Sequence, residues 1–229
     1  MDASSTPAPL PLPADPARTT DAAQRRYLAF ELGMLFFVLP GIIALGHPGG
    51  RTYAGLLSAA AVTLFMLLRD PSFPRAQLWN RPALKDALPR ILMQFAVFGA
   101  AMAALVWQFR PHWWLSMPRE HPGVWALLMV GYPLLSVYPQ NLVYRAFVFQ
   151  RYRPLFGEGW TMIFASAAAF SFAHVVFQNW TALALTAVGG VFFALTYART
   201  RSVLASSVEH ALYGCAVFTV GLGHFLHAG

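Results

Sequence analysis

Charge is scarce in this sequence. Only 11% of its 229 residues are Asp, Glu, Lys or Arg, whereas a soluble domain carries about 25%. A water-facing surface for a chain of this length cannot be built from so few charges. Cysteine is almost absent as well. Cys215 stands alone in an apolar segment, which excludes an intrachain disulfide framework and any multi-thiolate metal site. There is no lysine-rich run and no alternation of basic and aromatic residues, so the net charge of +7 does not read as a nucleic-acid surface. Residues 1–24 lack any continuous apolar stretch and are rich in Pro, Ala, Ser and Thr. They read as a disordered tail rather than a signal peptide.

What the chain does have is apolar bulk: 57% hydrophobic residues, 15% of the total aromatic. A helix across the hydrocarbon core needs about 20 mostly apolar residues. Candidate spans run over Leu28–Leu45, Tyr53–Leu68, Ile91–Phe109, Gly123–Tyr138, Trp160–Phe177, Leu183–Ala198 and Val203–Val220. The breakers between them are Gly46-His47-Pro48-Gly49-Gly50, the Pro71/Pro74/Pro82 stretch, and Arg110-Pro111 to Pro122. The mixed segment Arg75–Arg90 reads as an interfacial helix. The expected fold is all-α, a polytopic transmembrane bundle of about seven spans.

Charge placement gives an orientation. With a cytoplasmic N-terminus, 13 of the 16 basic residues fall on the cytoplasmic side, and only Arg51, Arg110 and Arg119 lie opposite. This is a positive-inside pattern; it implies an outward C-terminus. Trp113, Trp114, Tyr53 and Trp160 near span ends suit an aromatic belt.

Ionisable groups inside a span are costly, so each is a functional candidate. Among nine acidic residues only Glu31 and Glu209 fall in apolar blocks. His174 and His210 lie within or beside spans, and His224 and His227 follow the last one. Arg145 ends the run Gln140-Asn141-Leu142-Val143-Tyr144-Arg145. Asn141 and Arg145 are four apart and share a helix face, as do Phe170 and His174. Glu209 and His210 point about 100° apart on a regular helix. Each also has an ordinary structural role open to it. A histidine can join two helices, Arg145 can anchor a span end, Glu31 can sit at the interface, and Glu209 can pair with Arg199 or Arg201. The phenylalanines 170, 172, 177, 192 and 193 read as packing.

Three segments carry a resemblance. Pro139-Gln140-Asn141-Leu142-Val143-Tyr144-Arg145-Ala146-Phe147, then Phe170-Ser171-Phe172-Ala173-His174, then Glu209-His210-Ala211-Leu212-Tyr213-Gly214 resemble, in order and separation, the motifs of the CAAX protease and bacteriocin-processing family. These are intramembrane endopeptidases of the glutamic type. The resemblance covers roughly residues 120–225, leaving 25–119 as N-terminal transmembrane helices without a specific match. It implies a site of Gln140, Asn141, Arg145, His174 and His210, no cofactor, no metal, and a peptide or membrane-anchored protein as substrate in the lipid bilayer. A bacterial inner membrane is the implied location.

Two departures stand out. The family places paired glutamates where this chain has Gln140 and Asn141, and Asn or Asp where it has Gly214. By resemblance, a glutamate and a histidine activate water while the other histidine and an amide stabilise the oxyanion. Amides can orient water or donate to an oxyanion but cannot serve as general base. The chain then reads as a pseudoprotease with a retained pocket, as a variant of an active protease, or as an enzyme with a substitute base at His174, His210 or Glu209. A non-catalytic membrane binder or immunity protein is the alternative class. No inverted repeat suggests a transporter. Two imidazoles with amides make a poor zinc shell.

Overall fold

The computed structural model describes residues 16–46 and 51–226. The breaker at 47–50, His227, and the expected tail as far as residue 15 lie outside the described residues. Among these residues every regular element is helical. Seven helices are long and apolar enough to cross a membrane: α1 (Asp21–Leu45), α2 (Thr52–Arg69), α3 (Arg81–Phe109), α4 (Pro122–Arg151), α5 (Trp160–Phe177), α6 (Trp180–Thr200) and α7 (Val203–Val220). The helix containing α1 already begins at Pro16.

The bundle is apolar outside as well as inside. Phe65, Val97, Leu127, Leu135, Phe164 and Val188 are all exposed, an arrangement that water penalises and hydrocarbon does not. This is an integral membrane protein. Its interior collects the polar groups instead, with Asn141, Arg145, Ser166, Thr196, Ser206, Glu209 and His210 all buried. α5 packs most extensively on α6, α7 packs on both α3 and α6, α2 lies along α4, and α1 lies along α5.

Two spans outrun their apolar cores. Asn80 caps α3 by accepting from Ala83 N at 3.2 Å, and Pro82 occupies the first turn, where its missing N–H costs nothing. Pro82 therefore starts a helix rather than breaking one. Most of the expected interfacial segment is the lower part of α3, preceded by a 3₁₀ turn at Arg75–Trp79. At 29 residues this helix is about 43 Å long and reaches well beyond a ~30 Å core.

α4 continues to Arg151 instead of ending near Tyr138, so residues 140–145 lie within a span rather than after it. Two π-helical turns, Pro133–Val137 and Leu142–Phe147, explain how it does so. Pro133 and Pro139 remove backbone donors from the α ladder, and a widened turn absorbs the mismatch without ending the helix. The residues of the first motif sit between and within these turns.

Candidate active site

Asn141 and His210 meet at the centre of the bundle. Asn141 Nδ2 lies 2.9 Å from Val137 O and 3.1 Å from His210 Nδ1, while Ser206 Oγ lies 2.8 Å from Asn141 Oδ1 and 2.9 Å from Phe193 O. The contact with Val137 O fixes the amide's orientation, because the reverse would set two carbonyl oxygens against each other. Nδ2 is thus a donor to both neighbours, His210 Nδ1 is an acceptor, and the neutral imidazole carries its proton on Nε2. That N–H faces the Tyr132 hydroxyl at 3.2 Å. Both ring nitrogens are occupied. Phe193 stacks on the ring at 4.4 Å and 16°, and Phe170 meets it edge-on at 5.2 Å.

His174 is arranged differently. Its Nδ1 lies 2.8 Å from Phe170 O, a pure acceptor, so Nδ1 carries the proton and Nε2 keeps a lone pair with no hydrogen bond among the described residues. The histidine ends the α-helical part of α5 and begins a 3₁₀ turn, His174–Phe177. Phe170 lies between the imidazoles, 4.7 Å from that of His174.

Arg145 is fully buried and is not an interfacial anchor. Its guanidinium donates to Ser166 Oγ at 2.8 Å and, at 3.3–3.4 Å, to Tyr144 O, Ser166 O and Gly190 O, and it lies 4.9 Å from the Phe170 ring centroid. Gly190 permits this. A Cβ there would come within 3.2 Å of Ala167 backbone atoms, so glycine lets α6 approach α5 and bring its carbonyl to Arg145. No carboxylate pairs with this cation among the described residues.

Gln140 stands apart from the hydrogen-bonded cluster. Its Nε2 donates to Ser136 Oγ at 2.7 Å within α4, and its Oε1 is buried without a hydrogen-bond partner among the described residues. Glu209 turns away from His210, accepting from Gln94 of α3 at 3.3 Å. Of the two arginines open to it as partners, Arg199 and Arg201, the latter reaches Glu158 instead at 3.1 Å. Glu31, expected at the interface, forms a two-pronged pair with Arg151 at 2.7 and 3.0 Å and accepts from Tyr152. Among the described residues, no three His, Cys, Asp or Glu side chains gather as a metal would require.

Of the five residues singled out from sequence, only Asn141 and His210 share a hydrogen bond. His174 and Arg145 join them through Phe170. The sequence reading missed Ser206 and Tyr132. Gly214 holds the one clue to Tyr132: a Cβ at 214 would sit 2.4 Å from the Tyr132 ring, so the tyrosine fills space that a side chain at 214 would need.

Residues 122–216 match the family described as type II CAAX prenyl endopeptidase Rce1-like. Along this stretch, less than half of the chain, the sequence is similar to that family. It opens at the first residue of α4 and closes within α7, so it takes in the whole cluster. No curated protein and no solved structure matches the chain. Around its histidines the matched segment has amides, hydroxyls and a guanidinium, and among the described residues no carboxylate is hydrogen-bonded to either imidazole.

Proposed function

We propose that this protein is a CAAX-type intramembrane peptidase whose hydrolytic step is weak, and that it receives a membrane-proximal peptide of a lipidated or membrane-anchored protein at Gln140, Asn141, Arg145, His174 and His210. The observation that carries this reading is the Asn141–His210 contact. An amide donates where a base would accept, and it leaves His210 with both nitrogens engaged. Arg145 supports the architecture around the cluster, and Gln140 Oε1, buried and without a partner among the described residues, is an acceptor for a peptide N–H that reaches it.

Residual hydrolysis is favoured by one feature, the unoccupied Nε2 lone pair of His174. A neutral imidazole in that tautomer can take a proton from water. The basic-residue bias supports a cytoplasmic N-terminus and an outward C-terminus, and the bacteriocin-processing resemblance supports a bacterial inner membrane.

The test uses the purified protein in liposomes with a fluorogenic prenylated CAAX peptide. Asn141→Glu, alone and with Gln140→Glu, should raise cleavage by about 10²–10⁴-fold over the unaltered chain. Equal rates would remove the argument from the missing base. His174→Ala should abolish any residual cleavage and leave peptide binding in place. Binding without cleavage in every variant would instead favour a non-catalytic binder or immunity protein.

A further inference from the structure

We infer that Tyr132, admitted to the site by the missing side chain at Gly214, is a positioning residue that holds His210 and presents its own hydroxyl proton to a bound peptide carbonyl. The inference rests on the proposed function for its ligand but not for its geometry.

Tyr132 lies in α4 directly before the π turn at Pro133. Its ring packs edge-on against Phe218 at 5.2 Å and overlies Gly214 so closely that a Cβ would fall 2.4–2.7 Å from ring and hydroxyl atoms. No rotation of a flexible side-chain tip relieves that clash, since the atoms belong to a rigid phenol held between two helices. Gly214 is thus the condition for the hydroxyl to reach His210 Nε2 at 3.2 Å. With Nδ1 accepting from Asn141, Nε2–H must donate, so Tyr132 Oη is an acceptor in that bond. The hydroxyl's own proton has no acceptor among the described residues. A half-buried O–H without an acceptor carries a cost. It becomes an asset when a ligand carbonyl arrives, because the donor is already oriented by the imidazole behind it.

Tyr132→Phe keeps the ring on Gly214 and Phe218 and removes only the hydroxyl. In protein labelled with ¹⁵N-histidine, the His210 Nε2–H signal should move upfield and exchange faster with solvent, with Nδ1 still unprotonated. A fluorescent farnesylated CAAX peptide should bind about three- to tenfold more weakly. Gly214→Ala, which displaces the ring, should change both readouts in the same direction; retained helicity and melting temperature exclude misfolding as the cause.

An unchanged His210 spectrum in Tyr132→Phe overturns the positioning role. A changed spectrum with unchanged affinity overturns the donor role. A peptide that binds neither variant nor the parent protein refutes the proposed function, while the spectrum still decides what Tyr132 does to His210.

Discussion

At the residue scale, the orientation of one amide determines which proton each partner holds. Replacing Asn141 by Glu or Asp puts an acceptor opposite His210 Nδ1, so the imidazole must move its proton to that nitrogen. The expected result is a switch of tautomer, read from the ¹⁵N shifts of His210; retention of the Nε2–H form would refute the assignment. Ser206→Ala removes the donor to Asn141 Oδ1, leaving a buried acceptor, and should destabilise the protein by about 1–3 kcal/mol in a detergent melt. The amides, the histidines and Arg145 stand out in the sequence because polar groups are rare in apolar runs. Tyr132 does not. It is an aromatic residue among apolar ones, and only the three-dimensional overlap with Gly214 separates it from packing. Ser206 and Ser166 escape notice for a related reason: a serine in a helix reads as satisfied by its own backbone.

At the element scale, seven apolar runs are legible because crossing a bilayer imposes length and composition directly. Where α3 begins and where α4 ends are not. Pro82 reads as a breaker until its place in the first turn is known, and the π turns of α4 depend on neighbours in other helices rather than on local propensity. They have a testable function in spacing. Deleting Val143 from the Leu142–Phe147 turn closes it to α geometry with the phase of the flanking helix nearly kept, but leaves Arg145 three residues after Asn141 instead of four. Arg145 is then displaced from Ser166 and Gly190, and a drop in stability of about 3–5 kcal/mol is expected. A deletion variant that melts like the parent would show that the π turn has no such role. Helix starts carry smaller increments. Asn179 caps α6 through Ala182 N and also donates to Phe225 O, so Asn179→Ala should cost about 1 kcal/mol.

For the whole molecule, the N-terminal helices are tied to the matched segment at one end by polar clamps. Glu31 joins α1 to the end of α4 through Arg151 and Tyr152. Glu31→Gln should lower stability by about 1–2 kcal/mol, discounted for the partial exposure of Arg151. The double exchange Glu31→Arg with Arg151→Glu should recover part of that loss in the same melt. Just beyond α2, Asp70 accepts from Ser72 at 2.7 Å and from Gln150 at 2.8 Å. These bonds, Ser72's first, hold its carboxyl below the usual range. Their stabilising effect is present above the ordinary carboxylate pKa and is lost as pH falls through the lowered value, so Asp70→Asn should flatten the acid limb of the stability profile below about pH 4.

Arg145 also bears on biosynthesis. α4 is the least apolar of the seven spans, and its lone buried arginine costs up to about 2.5–3.5 kcal/mol on insertion, the value for a helix centre. Every partner that relieves this cost from outside α4, namely Ser166, Gly190 and Phe170, is synthesised later. The nascent chain must therefore hold α4 at the translocon, or leave it at the interface, until α5 and α6 follow. The cluster is assembled only once translation has passed the seventh helix, which carries Ser206 and His210.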